Sequence, residues 1–112
     1  MRQSLAALEG QRISVKALFQ ARSTVVNRTN SRKVIRKMCF QYVKRNGYHI
    51  AEHVWVTVPD TVARQPLARG TWVEFDAKVV RYFKPRMSGT WHDFTLADVV
   101  NFRKAHEEKR DA

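Results

Sequence analysis

The chain has 112 residues, with 21 Lys and Arg against 10 Asp and Glu, a formal net charge of +11 and a sequence pI near 10.6. That length suits one compact domain, and 44% hydrophobic composition with three Trp, three Tyr and six Phe supplies a core, which excludes a wholly disordered chain. The single cysteine, Cys39, excludes an internal disulfide, and no Cys/His cluster has zinc-binding spacing.

Residues 1–11 read as an N-terminal extension in which Leu5 and Leu8, followed by Gly10, predict one short amphipathic turn with a glycine stop. The opening residues lack the apolar stretch of a signal peptide, and no run approaches the roughly 18 apolar residues of a membrane span. A soluble, cytoplasmic protein without a membrane partner is therefore expected. From Ile13 the odd positions Ile13, Val15, Ala17, Phe19 and Ala21 alternate with Ser14, Lys16, Gln20 and Arg22, which is a strand with one buried face. Asn27 to Lys33 has no apolar residue and is rich in turn formers, so it reads as a loop.

Val34 to Val43 predicts a second strand whose inward face the alternation leaves open, with Val34, Met38, Phe40 and Tyr42 on one side and Ile35, Cys39 and Val43 on the other. Asn46-Gly47 then gives a hairpin, because both central residues of a type I′ turn need positive φ. In the third strand Ile50, Val54, Val56 and Val58 share a face interrupted by Glu52, leaving His49, Ala51, His53, Trp55 and Thr57 opposite. Pro59 to Gly70 is a connector in which Pro66 limits any helix to about one turn. Val73, Phe75, Ala77 and Val79 define a fourth strand, and Lys84 to Thr90 a loop. Phe94 and Leu96 open a fifth strand, which Val99, Val100 and Phe102 continue or replace by a short helix, and residues 103–112 form a charged tail.

The charge is unevenly placed. Residues 1–56 hold 11 bases and two acids, whereas residues 57–112 hold 10 bases and eight acids. Between Glu9 and Glu52 lie ten bases and no acid at all, a distribution that favours a polyanionic partner over a merely solubilising surface.

Five strands with a long first strand, a tight hairpin between two and three, and a connector between three and four resemble the oligonucleotide/oligosaccharide-binding (OB) superfamily. Gly70-Thr71-Trp72-Val73-Glu74-Phe75-Asp76-Ala77-Lys78-Val79 is similar to its fourth strand, in which a turn glycine precedes an alternating barrel strand. The resemblance spans residues 12–102 and implies a mainly all-β, five-stranded Greek-key OB-like barrel with short terminal helical segments. The proline-interrupted connector departs from the helix that many OB folds carry there and keeps an SH3-like small barrel as the alternative. OB folds bind along strands two and three, flanked by the loops between strands one and two and between four and five. The resemblance thus implies a nucleic-acid surface of Arg28, Arg32 and Lys33 in the first loop, and Arg36, Lys37 and Tyr42 on strand two. Lys44 and Arg45 at the hairpin, Trp55 on strand three, and Lys84, Arg86 and Trp91 around the second loop complete it. Cations track phosphates while exposed rings stack on unpaired bases, the combination that single-strand binding needs.

Phe19, Phe75 and Phe94 are expected in the core, while Phe40 and Tyr42 stay open between core and stacking platform. No catalytic residue, metal ligand or cofactor is expected. His49 and His53 lie about 13 Å apart on a strand, and Glu74 and Asp76 suit cross-strand pairing with Lys16 or Arg22 better than metal chemistry. Cys39 suits a buried structural thiol. The expected function is low-specificity binding of single-stranded DNA, as an accessory in replication, recombination or transfer. The alternatives are RNA binding by a ribosome- or tRNA-associated factor, and a protein–protein adaptor or homo-oligomer.

Overall fold

The computed structural model describes residues 3–26, 34–86 and 89–105, with side chains over 5–26, 34–82 and 93–105. Among them are helix α1 (Gln3–Ala6), strands β1 (Arg12–Val26), β2 (Val34–Arg45) and β3 (Tyr48–Thr57), helix α2 (Asp60–Ala63), and strands β4 (Trp72–Arg86) and β5 (Gly89–Lys104). The architecture is all-β: five antiparallel strands make one sheet in the order β3-β2-β1-β4-β5.

The period-two pattern of β1 and β4 decides which face is inside. Ile13, Val15, Ala17 and Phe19 are buried opposite Ala77, Phe75 and Val73 of β4, as alternation requires. Met38 and Phe40 of β2, Val54 and Val56 of β3, and Phe94, Leu96 and Val99 of β5 complete the interior with Leu5 of α1. Phe40 lies 5.0 Å from Phe75 and 6.2 Å from Phe102 between ring centroids. β2 and β5 are three places apart in the sheet, about 14 Å if it were flat, so the sheet is strongly curled about these rings. Its two outermost strands also meet, through a hydrogen bond in which Thr95 Oγ1 donates to the Trp55 carbonyl at 3.2 Å.

A curled ladder cannot keep strict alternation, and each strand that departs from it does so at a register shift. Between Lys16↔Lys44 and Leu18↔Gln41, β2 carries one extra residue, and Tyr42 there has φ +51°. This bulge moves Val43, not Tyr42, into the core, which resolves the open parity of β2. In β3 Ala51 pairs with buried Val43 and is itself buried, while Glu52, opposite the Tyr42 bulge between the Gln41↔His53 and Val43↔Ala51 pairs, is exposed and does not intrude on the core; a further shift falls at Ile50. β5 shifts twice, at Asp98 (φ +53°) and Asn101 (φ +56°), so that Val99 turns inward and Phe102 packs partly buried against Phe75. Val99 to Phe102 therefore continue the strand and form no helix.

The hairpin at Asn46-Gly47 forms as expected, with φ +52° and +81° and Arg45 paired to Tyr48. One expectation is corrected: in the stretch read as a loop, Lys84 to Arg86 and Gly89 to Thr90 are strand, since the β4–β5 ladder continues through Lys84↔Trp91 and Pro85↔Thr90 to Arg86↔Gly89. Pro85 is tolerated because the segment leading into β1 makes its last bonds to β4 at Val79, so beyond that point, among the described residues, β4 is paired with β5 alone. α1 packs against β3, β4 and β5 and buries Leu5 completely. The connector holds α2 at one turn, as its prolines dictate.

Asp76 ties three strands together: its carboxylate accepts from Ser14 Oγ of β1 at 2.6 Å and from Asn101 Nδ2, at the β5 bulge, at 2.8 Å. These two bonds, with smaller contributions from Arg103 and Arg12, outweigh desolvation and hold its pKa below the ordinary carboxylate value. Because the folded-state pKa is depressed, this stabilisation is present above the unfolded pKa of about 3.9 and is lost as pH falls through the folded value. Urea titrations at pH 6 and pH 3 should therefore show a smaller acid-induced loss of stability in Asp76→Asn than in the parent chain. Phe40→Ala, which empties the centre of the ring cluster, should cost about 3–5 kcal/mol in the same titration at pH 7.

Candidate nucleic-acid interface

The outer face of the sheet is laid out by the register. Lys16 lies between buried Val15 and Ala17, and Glu74 between buried Val73 and Phe75, so both point outward. One row of paired residues crosses all five strands: His49, Lys44, Lys16, Glu74 and Arg103. The next row is His53, Gln41, Leu18 and Trp72, and beyond it come Trp55, Cys39 and Ala21, then Thr57, Lys37 and Ser23. Neighbouring rows lie about 6.7 Å apart along the strands. Trp55 thus stands between Lys37 on one side and the Lys16/Lys44 row on the other.

Trp55 is 41% exposed, so its indole is open to a ligand. Cys39, its cross-strand neighbour, is buried, as expected of a structural thiol. Tyr42 is 53% exposed, and its left-handed backbone at the β2 bulge displays it instead of burying it. Lys37, Lys44 and Arg45 are half-buried, with Lys44 and Arg45 leading into the hairpin. Arg36 is separated from them: its parity places it on the face opposite Lys37, where its Nε pairs with Asp60 of α2 at 3.1 Å. Lys84 and Arg86 lie on β4 and Trp91 on β5, with Lys84 and Trp91 paired in register. Arg28, Arg32 and Lys33 lie outside the described residues.

Trp72, an outward ring on sequence grounds but outside the expected set of contact residues, and Lys16 lie on this face as well. Trp72 is half-buried, and both Lys16 Nζ and Lys44 Nζ sit over its ring, at 5.6 and 5.4 Å from the centroid. The signal for this cluster was the outward parity of Lys16 and Trp72, but only the register brings Lys44 to them. Glu74 lies across from Lys16, as expected, and accepts from Arg103 at 3.0 Å. Arg22 has no such role, since its guanidinium donates to the Gln65 carbonyl.

Many arginines are engaged within the fold. Arg12 donates to the Asp98 carbonyl, Arg69 to Gln20, and Arg81 to Glu9 at 2.8 Å. Neither β1 nor β2 contains an acidic residue, so the outer-face charge of these two strands is uniformly positive. Among the described residues no group of three or more His, Cys, Asp or Glu could hold a metal ion, and no helix is long and apolar enough to cross a membrane.

No family model matches the chain, and neither a curated protein nor a solved structure matches it significantly.

A non-glycine residue in the left-handed region costs about 1–2 kcal/mol, and the exposed Tyr42 ring recovers little of that by burial. Tyr42→Gly is therefore expected to unfold at the same or slightly higher urea concentration than the parent chain. A loss above about 2 kcal/mol would mean that the ring packs against the fold.

Proposed function

We propose that this chain is a non-catalytic protein that binds single-stranded nucleic acid, DNA in preference to RNA, on the outer face of β1, β2 and β3, with little sequence specificity. The observation that carries the reading is the exposed Trp55 ring on β3, with Lys37 in the next row on one side and the Lys16/Lys44 row two rows away on the other, beside two central strands, β1 and β2, free of acidic residues. Lysines there meet phosphates, and the indole stacks on an unpaired base. Tyr42 offers a second ring beside them.

The finer architecture belongs to the same proposal: the curled sheet is an OB-like Greek-key barrel. Support comes from β1, whose first half pairs with β4 (Arg12 to Leu18) and whose second half continues with β2 to Val26. The Thr95–Trp55 bond between the outermost strands and the seat of α1 across β3, β4 and β5 further favour closure. An accessory role in replication, recombination or transfer fits such a module.

Fluorescence anisotropy with an oligo(dT) strand tests the reading. Engagement of about five phosphates predicts a log–log salt slope near −3.5, and Trp55→Ala should weaken binding by about 5- to 150-fold at fixed salt. A slope near zero would refute it. Competition by duplex DNA and hairpin RNA of equal length separates DNA from RNA as the partner, the RNA-bound alternative requiring the hairpin to compete best.

A second reading, a protein–protein adaptor or homo-oligomer, draws on Val25, Val26 and Val34, which are exposed together where the β1–β2 ladder ends. Light scattering that gives a concentration-independent dimer, with no oligonucleotide affinity, would favour it.

A further inference from the structure

We infer that Lys16, Lys44 and Trp72 form a dedicated phosphate seat, in which Trp72 is a positioning residue that holds two ammonium groups ready for the phosphodiester backbone of a single strand. The inference rests on the nucleic-acid reading and adds to it a site of stated chemistry on a different row from Trp55.

Lys16 and Lys44 are direct cross-strand partners on the outer face. Two like charges placed opposite each other in a ladder repel and destabilise it, so the arrangement calls for something that favours it. Within the chain the Trp72 ring contributes to it, its face attracting both cations at 5.6 and 5.4 Å, beside the Glu74 carboxylate that lies across from Lys16. Both distances run to one centroid, so the two ammonium groups lie no more than 11 Å apart, the sum of the two. Lysine suits this role because its ammonium is a compact point charge on a flexible stem, able to rest on a ring and turn to an anion.

Neighbouring charges leave the seat cationic. The row that crosses the sheet holds three cations, Lys44, Lys16 and Arg103, against Glu74 alone, so it stays net positive even with that carboxylate paired within the row. Trp72 and Trp55 therefore do different work. Trp55 presents an open ring to a base, whereas the Trp72 ring already carries two cations and serves the backbone. The seat also depends on the Tyr42 bulge. Without the extra residue Lys44 would share the core parity of Met38 and Phe40 and would not face Lys16.

The test measures oligo(dT) anisotropy over a salt series for the full chain and for Lys16→Gln, Lys44→Gln, Trp72→Leu, Trp72→Tyr and Trp55→Ala. Each lysine variant should make the salt slope shallower by about 0.7, and the double variant by about 1.4, since each lysine neutralises one phosphate of a single strand. Trp72→Leu keeps both charges, yet it should weaken binding several-fold and flatten the slope, while Trp72→Tyr, which keeps a π face, should recover most of both. A purely structural role for Trp72 would lower the melting temperature and leave the slope alone. Unchanged slopes in Lys16→Gln and Lys44→Gln, with Trp55→Ala still impaired, would overturn the seat and spare the wider reading. A parent chain that fails to bind oligo(dT) at low salt would overturn both.

Discussion

Phe40 of β2 reaches Phe75 of β4 at 5.0 Å and Phe102 of β5 at 6.2 Å, and these contacts exist only because the sheet bends round its own inner face. The other features of the molecule depend on that bend. A sheet this curved must keep apolar side chains pointing inward while its strands change direction, and simple alternation cannot do so over strands of 10 to 16 residues. The chain meets the constraint by inserting single residues: near Gln20 in β1, at Tyr42 in β2, at Ile50 in β3, and at Asp98 and Asn101 in β5. Each insertion re-phases the remainder of its strand, and Asp76 fixes one of them by binding Ser14 and Asn101 together.

The same insertions decide what could be read from the sequence. β4 has no insertion of its own against β1, and β1 has none before Phe19, so Ile13 to Phe19 and Val73 to Val79 show their buried faces directly. The Asn46-Gly47 hairpin was equally legible, because its positive φ values demand those residue types. The parity of β2 was not legible. Tyr42 belongs by alternation with Met38 and Phe40, and only the bulge sends it outward and Val43 inward. Glu52 looked like an intruder in the core of β3 for the same reason, since it lies opposite Tyr42 and turns outward with it. Pro85 suggested a loop, since a local reading cannot tell that the neighbouring strand has already departed. What escaped the sequence was thus non-local: which strand lies alongside, and in what register.

The candidate surface divides along similar lines. The concentration of bases before Glu52 was visible as composition, and Trp55 as an outward ring. Their three-dimensional sorting was not. Arg36 and Lys37 are adjacent in sequence and end on opposite faces, one bound to Asp60 and the other in the row beside Trp55. Arginine, with its planar fork of donors, is used here largely for internal hydrogen bonds to carbonyl and carboxylate oxygens, as at Arg12, Arg36, Arg81 and Arg103. The lysines of β1 and β2 face outward at Lys16, Lys37 and Lys44, so part of the positive charge concentrated before Glu52 is directed to a single face.

Tyr42 joins the two levels. One inserted residue keeps Val43 in the core, displays an aromatic ring in a backbone conformation that tyrosine rarely adopts, and turns Lys44 to face Lys16 beneath the same tryptophan. The first effect serves folding. The other two work against it, because a left-handed tyrosine is strained and paired lysines repel. A bulge built only to bend the strand would be served better by glycine at position 42 and a neutral residue at position 44. That the chain carries the costlier pair at the point where fold and surface meet is what links the curvature of the sheet to the charge it displays.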